Sequence, residues 1–124
     1  MINPTAEYHA ALASFVSRLT NDLKTAHAQK GFQAEIFAYV ESGRKFDKIL
    51  VSDGGNTHVR YFVRRSDGSI YGAKSRFAPN MKWYFGTVYT AHLWAWGDHH
   101  GHPVNDPSVR AVKAYGPYLH YMKV

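Results

Sequence analysis

Basic and aromatic side chains are concentrated between residues 58 and 77, where they favour contact with a polyanion. Five cations fall in this stretch: Arg60, Arg64, Arg65, Lys74 and Arg76. Phe62 and Tyr71 lie among them, and a β-surface that carries rings and cations can stack bases and hold phosphates. The only acidic residue in the stretch is Asp67. These residue types predict a nucleic-acid-binding ribbon with Phe62 and Tyr71 as its stacking residues.

The same ribbon also has a purely structural interpretation, to which the sequence gives equal weight. Phe62 and Tyr71 have the size and apolarity of core residues. Charged side chains along a strand prevent edge-to-edge aggregation of sheets, which is a common role for arginine and lysine. In this interpretation the rings are buried and the arginines protect a sheet edge.

A histidine-rich segment is the second candidate for chemistry. Asp98, His99, His100 and His102 follow one another closely, and imidazole and carboxylate groups bind zinc, manganese or iron. Such a cluster would serve a metal-dependent hydrolase. The spacing matches no established metal motif, so residues 97–107 are predicted to form a polar surface loop instead of a metal site. We therefore expect no cofactor and no stoichiometric metal.

Other catalytic patterns are missing from the sequence. No serine lies in a nucleophile elbow, and Gly54 and Gly55 lead into a strand instead of the helix that a phosphate-binding loop needs. The chain has no cysteine, which excludes disulfides and thiolate metal sites. The sequence therefore predicts a binding protein without catalytic activity.

Charge and composition narrow the class of partner. The 124 residues carry a net charge of +6 and are 45% hydrophobic, which is typical of one folded domain spanning residues 1–124. A basic surface attracts polyanions, nucleic acid first. No apolar run reaches the ~20 residues of a membrane span, and the N-terminus does not resemble a secretory signal. We expect no membrane partner and a location in the cytoplasm.

An amphipathic helix is expected to pack against the sheet that contains the basic ribbon. Asn3 and Pro4 are favourable residues for a helix start, and Gly31 suits a helix end. Apolar residues recur between them at steps of three and four, which predicts one buried stripe: Tyr8, Leu12, Phe15, Leu19, Leu23 and Ala26. This stripe is expected to cover one face of a sheet.

Strand signals follow the helix at short intervals. Residues 32–42, 45–53, 58–65 and 70–77 suit β-structure, and short turns between them predict an antiparallel meander. Asp67 and Gly68 predict a two-residue turn, in which Arg65 faces Ile70 and Val63 faces Gly72. The pattern does not decide between strand and irregular structure for residues 82–93. A short helix at 108–115 and a final strand at 118–124 complete an aromatic-rich C-terminal segment. The predicted fold is α+β, with four or five strands.

Part of the ribbon resembles a known pattern. Small bacteriophage-encoded proteins of unassigned function share a ribbon of the type F-V-D-x-x-T-G-D-V/I-Y-x-x-A-S-W-x-A-P. The chain is similar to it at Phe62, Val63, Gly68, Ile70, Tyr71, Ala73, Ser75, Ala78 and Pro79. It departs from it at Arg64, where the pattern has Asp, and at Arg76, where the pattern has an aromatic residue. The resemblance implies a phage origin and a compact domain, and it transfers no catalytic residue. With a phage origin, the expected location is the cytoplasm of the host cell or the virion.

Three functions of different classes remain open at this point. Nucleic-acid binding through the basic ribbon is the first, and it predicts a steep dependence on salt. A virion structural or host-interaction protein that forms a homo-oligomer through exposed aromatic residues is the second, and apolar burial would let that oligomer persist at high salt. The third is the metal-dependent hydrolase described above.

Overall fold

A computed structural model of the chain describes residues 4–31, 35–97 and 101–103. A 26-residue helix, α1 (Pro4–Gln29), precedes five strands: β1 (Ile36–Glu41), β2 (Phe46–Asp53), β3 (Asn56–Arg64), β4 (Ser69–Ser75) and β5 (Ala78–Thr87). These strands form one antiparallel sheet in chain order. A 3₁₀ turn (Ala91–Leu93) and a two-stranded pair, β6 (Trp94–Ala95) and β7 (His102–Pro103), follow. The predicted α+β meander is confirmed.

The predicted apolar stripe of α1 packs against the sheet. Its members Tyr8, Leu12, Phe15, Leu19 and Leu23 are all at most 4% exposed. They meet side chains that alternate along the strands, such as Ile36, Ile49 and Val63, on what we call the inner face of the sheet. The opposite side of the sheet is its outer face. The helix also contacts the edge of the sheet, where the Ala38 N–H donates to Thr20 Oγ1 at 3.0 Å.

Aromatic rings fill the inner core beyond the helix. Trp96 is fully buried, and its ring centroid lies 4.8 Å from Phe15 and 5.4 Å from Tyr61. Its indole N–H donates to the Ala91 carbonyl, and its backbone N–H donates to an Asp22 carboxylate oxygen on α1 at 2.8 Å. The segment that follows β5 therefore closes the core against the helix.

The central hairpin has a longer turn than the sequence predicts. Val63 faces Ile70 and Tyr61 faces Gly72, so the predicted pairing of Arg65 with Ile70 is wrong by two residues. A four-residue loop from Arg65 to Gly68 joins the strands, and the Gly68 N–H donates to the Arg64 carbonyl at 2.7 Å. Gly68 has φ +75°, so the need for glycine was predicted correctly although the turn type was not.

Asp67 is the physical reason for the longer loop. Its Oδ1 accepts from the Ser69 N–H at 3.0 Å and from Arg64 Nε at 3.1 Å. These bonds tie Asp67 to the residues at both ends of the loop, Arg64 and Ser69, and so stabilise the four-residue form. Because side chains alternate with period two, an error of two residues leaves the faces of β3 and β4 unchanged near the turn.

A β-bulge changes the faces further along β3. Ile49 faces Tyr61 and Leu50 faces Val59, so Arg60 is the extra residue between them. A two-residue turn of the kind predicted for the central hairpin is found one hairpin earlier, at Gly54 and Gly55, which have φ +57° and +93°. The strand pairing there closes with Asp53 opposite Asn56.

The C-terminal predictions have mixed outcomes. Residues 82–87 belong to β5, which answers the choice that the sequence left open for the first part of 82–93. The loop predicted for 97–107 contains β7, whose residues pair with β6, so that prediction is wrong at residues 102 and 103. The helix predicted at 108–115 and the strand predicted at 118–124 lie outside the described residues. Within the described part, no helix combines the length and apolarity that a membrane span requires.

Candidate functional site

Two of the five ribbon cations are bound to carboxylates of the chain itself. Arg64 contacts Asp67 through Nη2 at 2.7 Å, and its guanidinium lies 5.3 Å from the ring centroid of Tyr71. The hydrogen bond from Arg64 lowers the pKa of Asp67 to about 2 and raises the pKa of Arg64. Arg64 therefore closes the hairpin loop instead of projecting freely toward a partner.

Arg65 belongs to a buried network that sequence reasoning missed. Its Nη1 donates to Asp47 Oδ1 at 3.1 Å, and Asp47 has no exposed surface. The Tyr8 hydroxyl donates to Asp47 Oδ2 at 2.6 Å, and the Gly43 N–H donates to Oδ1 at 3.2 Å. Burial, followed by the hydrogen bond to Asp47, raises the pKa of Tyr8. The network joins α1 to β2 and the central hairpin, so Arg65 has a structural role.

Phe62 and Tyr71 lie in a second aromatic cluster on the outer face. They are 2% and 0% exposed. The Phe46 ring lies 6.0 Å from Phe62 and 6.4 Å from Tyr71, and Tyr84 lies 5.7 Å from Tyr71. A ring without exposed surface offers no face to a base. The expected stacking role of Phe62 and Tyr71 is therefore corrected to a packing role, as in the structural interpretation of the ribbon.

A groove crosses the outer face beside this cluster, with a volume of about 610 Å³. We call it the outer groove. Its floor is apolar, from Leu50 and Val59, and one wall belongs to β1 through Tyr39 and Glu41. Thr57 and His58 of β3 also line the groove. The opposite wall, which we call the β4 wall, consists of the end of β4 and the residue that follows it: Ala73, Lys74, Ser75 and Arg76. The size falls in the range of about 300–1,000 Å³ that ligand sites occupy.

The turn between β4 and β5 gives the groove its depth. Arg76 and Phe77 form this turn, since Ser75 pairs with Ala78. The Phe77 ring lies 5.5 Å from Lys48 Nζ on β2, although β3 separates β2 from β4 in the sheet. Irregular pairing of β4 with β5 accompanies this bend. The turn therefore leans across the outer face and encloses the groove on one side.

Charge is distributed unequally across the outer groove. Lys74 and Arg76 are exposed on the β4 wall, and within the described part of the chain neither forms a salt bridge. Glu41 stands on the β1 wall, 3.9 Å from Lys48 Nζ. Arg60 donates to His58 Nε2 at 3.2 Å and does not itself line the groove. The β4 wall thus carries positive charge that no described carboxylate neutralises.

One exposed aromatic ring, Tyr39, lines this groove, and two more are neighbours of its lining residues. Phe37 and Tyr39, on the outer face of β1, are 39% and 38% exposed, and their ring centroids lie 5.9 Å apart. Phe77 is 78% exposed and also lies 5.5 Å from the Arg76 guanidinium. The sequence signal for Phe37 and Tyr39 was their alternation with Ile36 and Ala38, which places large rings on the solvent side of a strand.

The histidine-rich segment falls mostly outside the described residues. Asp98, His99 and His100 belong to the part of the chain that the structure does not describe, and His102 lies in β7. In residues 4–31, 35–97 and 101–103, no three histidine, aspartate or glutamate side chains come together as metal ligands would.

The arrangement as a whole suits binding of an extended anionic ligand. A concave surface with an apolar floor, a cationic wall and exposed rings can hold phosphates on one side and flat apolar groups on the other. The chain matches no protein-family model, no curated protein and no solved structure. The functional argument therefore rests on the geometry of the outer groove.

Proposed function

We propose that this protein is a non-enzymatic nucleic-acid-binding protein that holds phosphates along the β4 wall of the outer groove. The observation that carries the proposal is the position of Lys74 and Arg76, two exposed cations that line one concave surface without a described carboxylate partner. The net charge of +6 adds long-range attraction for a polyanion. The bacteriophage context of this function rests on the sequence resemblance alone.

The proposal assigns phosphate contacts to only some of the five ribbon cations. Arg64 and Arg65 are occupied by Asp67 and Asp47, so a phosphate would have to displace a carboxylate to reach them. Arg60 donates to His58 and is not among the residues that line the groove, so it is not counted among the phosphate contacts. Lys74 and Arg76 are therefore the contacts expected to dominate the dependence of affinity on salt.

Fluorescence anisotropy with a labelled mixed-sequence oligonucleotide tests the proposal, with a single strand and a duplex measured over a range of salt. Replacing Lys74 and Arg76 together by Gln should weaken binding. The slope of log affinity against log salt should flatten by about 1.4, which is ~0.7 for each lost phosphate contact on a single strand. The fold should survive, because exposed cations contribute little to stability.

The matched control, which we call the α1 variant, replaces by Gln the exposed Lys24 of α1 and the exposed Lys30, the residue that directly follows α1. This variant loses the same net charge on the opposite side of the sheet, so it should keep nearly the wild-type salt slope. Two results would contradict the proposal. One is that the wild-type protein binds neither oligonucleotide at low salt. The other is that the α1 variant loses as much affinity as the groove variant.

The second candidate is assembly with copies of itself, which the exposed apolar side chains favour. Phe77 is 78% exposed, and Met81, Tyr89 and Leu93 are each more than 40% exposed. Large exposed apolar side chains mark interaction surfaces when they form a patch. This candidate predicts an oligomer in nuclease-treated protein that high salt preserves.

A further inference from the structure

We infer that the outer groove binds single-stranded nucleic acid in one orientation, with phosphates on the β4 wall and bases stacked on Tyr39 of the β1 wall. The inference rests on the proposed function and adds to it the kind of strand, the stacking residue and the direction in which the strand faces.

The orientation follows from the charges of the two walls. Lys74 and Arg76 occupy the β4 wall, whereas Glu41 occupies the β1 wall. Glu41 is paired with Lys48 at 3.9 Å, so the β1 wall offers a phosphate no net positive charge, while Lys74 and Arg76 offer it an opposite charge. The backbone of a bound strand therefore follows β4. Its bases then point across the apolar floor of Leu50 and Val59 toward β1.

Tyr39 is placed to receive a base at that position. Its ring lines the groove and is 38% exposed, and Phe37 stands next to it at 5.9 Å between ring centroids. The two residues alternate with Ile36 and Ala38, which are buried against α1, so the strand holds both rings on the outer face. Every base has a π-face, so stacking on such rings tolerates any sequence.

The need for a free base face selects single strands. In a duplex both faces of an internal base are covered by neighbouring base pairs, and the phosphates lie outside the stack. A duplex would reach the cations without contact to Tyr39.

An abasic oligonucleotide tests this arrangement, because it keeps the phosphates and removes the bases. Anisotropy would compare one labelled single strand, its abasic equivalent of the same length and the corresponding duplex. The wild-type protein should bind the intact strand about tenfold more tightly than the abasic strand. Tyr39→Ser should lose this preference, with weaker binding of the intact strand and unchanged binding of the abasic one.

Two matched variants separate stacking from other effects of the substitution. Tyr39→Phe keeps the ring and should keep the preference for the intact strand. Tyr89→Ser removes a tyrosine that is 42% exposed and does not line the outer groove, so it should bind both strands as the wild type does. The variant with Gln at positions 74 and 76 should weaken binding of both strands alike.

The failures of the two proposals give different results. Equal affinity for intact and abasic strands, with a normal salt slope, would overturn the stacking inference and leave phosphate binding in place. Tighter binding of the duplex than of the intact strand would also overturn it. Polyglutamate bound as tightly as the intact strand would identify an acidic protein segment as the partner. Absence of binding to all three oligonucleotides at low salt would remove the proposed function itself.

Discussion

The arginines of the central hairpin differ in whether a carboxylate of the chain binds them. Arg64 and Arg65 each have an acidic partner, at 2.7 Å and 3.1 Å, whereas Arg76 lies beside the Phe77 ring. Only Asp67 could have been recognised as a partner from the sequence, since it follows Arg64 by three residues. Asp47 precedes Arg65 by eighteen residues, and their contact depends on the pairing of β2 with β3.

Asp67→Asn should destabilise the protein at neutral pH and have a smaller effect in acid. The folded-state pKa of Asp67 is lowered from 3.8 to about 2, mainly by Arg64. A lowered pKa means that the ionised form stabilises the fold, so its contribution is complete above about pH 4 and declines as the pH falls toward 2. The side chain is 47% exposed, so solvent screening limits the loss to about 0.5–1 kcal/mol.

Urea denaturation near pH 7 and near pH 3 would measure this difference. Arg64→Gln should remove about the same free energy of unfolding at neutral pH, and the double variant should cost little more than either single change. Independent, additive effects of the two substitutions would show that Asp67 acts through the Ser69 N–H instead of through Arg64.

Two turns of the sheet contain a glycine with positive φ, and the two glycines differ in how closely other side chains approach them. Gly55 and Gly68 both have positive φ, at +93° and +75°. A Cβ on Gly55 would meet nothing within 4 Å, whereas a Cβ on Gly68 would lie 2.8 Å from the Tyr89 ring and 2.9 Å from Val88. Gly68 is therefore required both by its backbone conformation and by the packing of the segment after β5 against the central loop.

Alanine substitutions at these two glycines should separate the two requirements. Gly55→Ala should lower the free energy of unfolding by about 1 kcal/mol, the cost of a left-handed conformation with a Cβ. Gly68→Ala should lower it by about 3 kcal/mol, because overpacking adds to that cost. Chemical denaturation of both variants under the same conditions gives the comparison. Equal losses would mean that Val88 and Tyr89 move aside without cost.

At the element scale, sequence periodicity predicted more than turn chemistry did. The spacing of Phe15 with its neighbours placed the buried side of α1 correctly, because a helix repeats every 3.6 residues whatever it packs against. The hairpin register was wrong because the side-chain bonds of Asp67 compete with a two-residue turn. The outer groove was not predicted, since it depends on the bulge at Arg60 and on the lean of the β4–β5 turn, which join residues distant in sequence.

At the scale of the whole molecule, the distribution of charge favours the first of the two proposed functions over the second. Among the described residues, the most exposed large apolar side chain is Phe77, and it lies 5.5 Å from both Lys48 Nζ and the Arg76 guanidinium. A symmetric dimer formed through this patch would place each cation against cations of the second copy. The cores of protein interfaces are depleted in charged residues. The patch is therefore poorly suited to self-association and well suited to an anionic partner.

We expect the nuclease-treated protein to be a monomer of 14.1 kDa by sedimentation, both at low salt and at high salt. Like charges around Phe77 oppose association at low salt. When salt screens them, one exposed ring still supplies only a fraction of the ~1,200 Å² that a stable interface buries. Phe77→Ser should leave this mass unchanged. An oligomer that grows or persists at high salt, and that Phe77→Ser dissociates, would instead show that apolar contact between copies is what this surface is for.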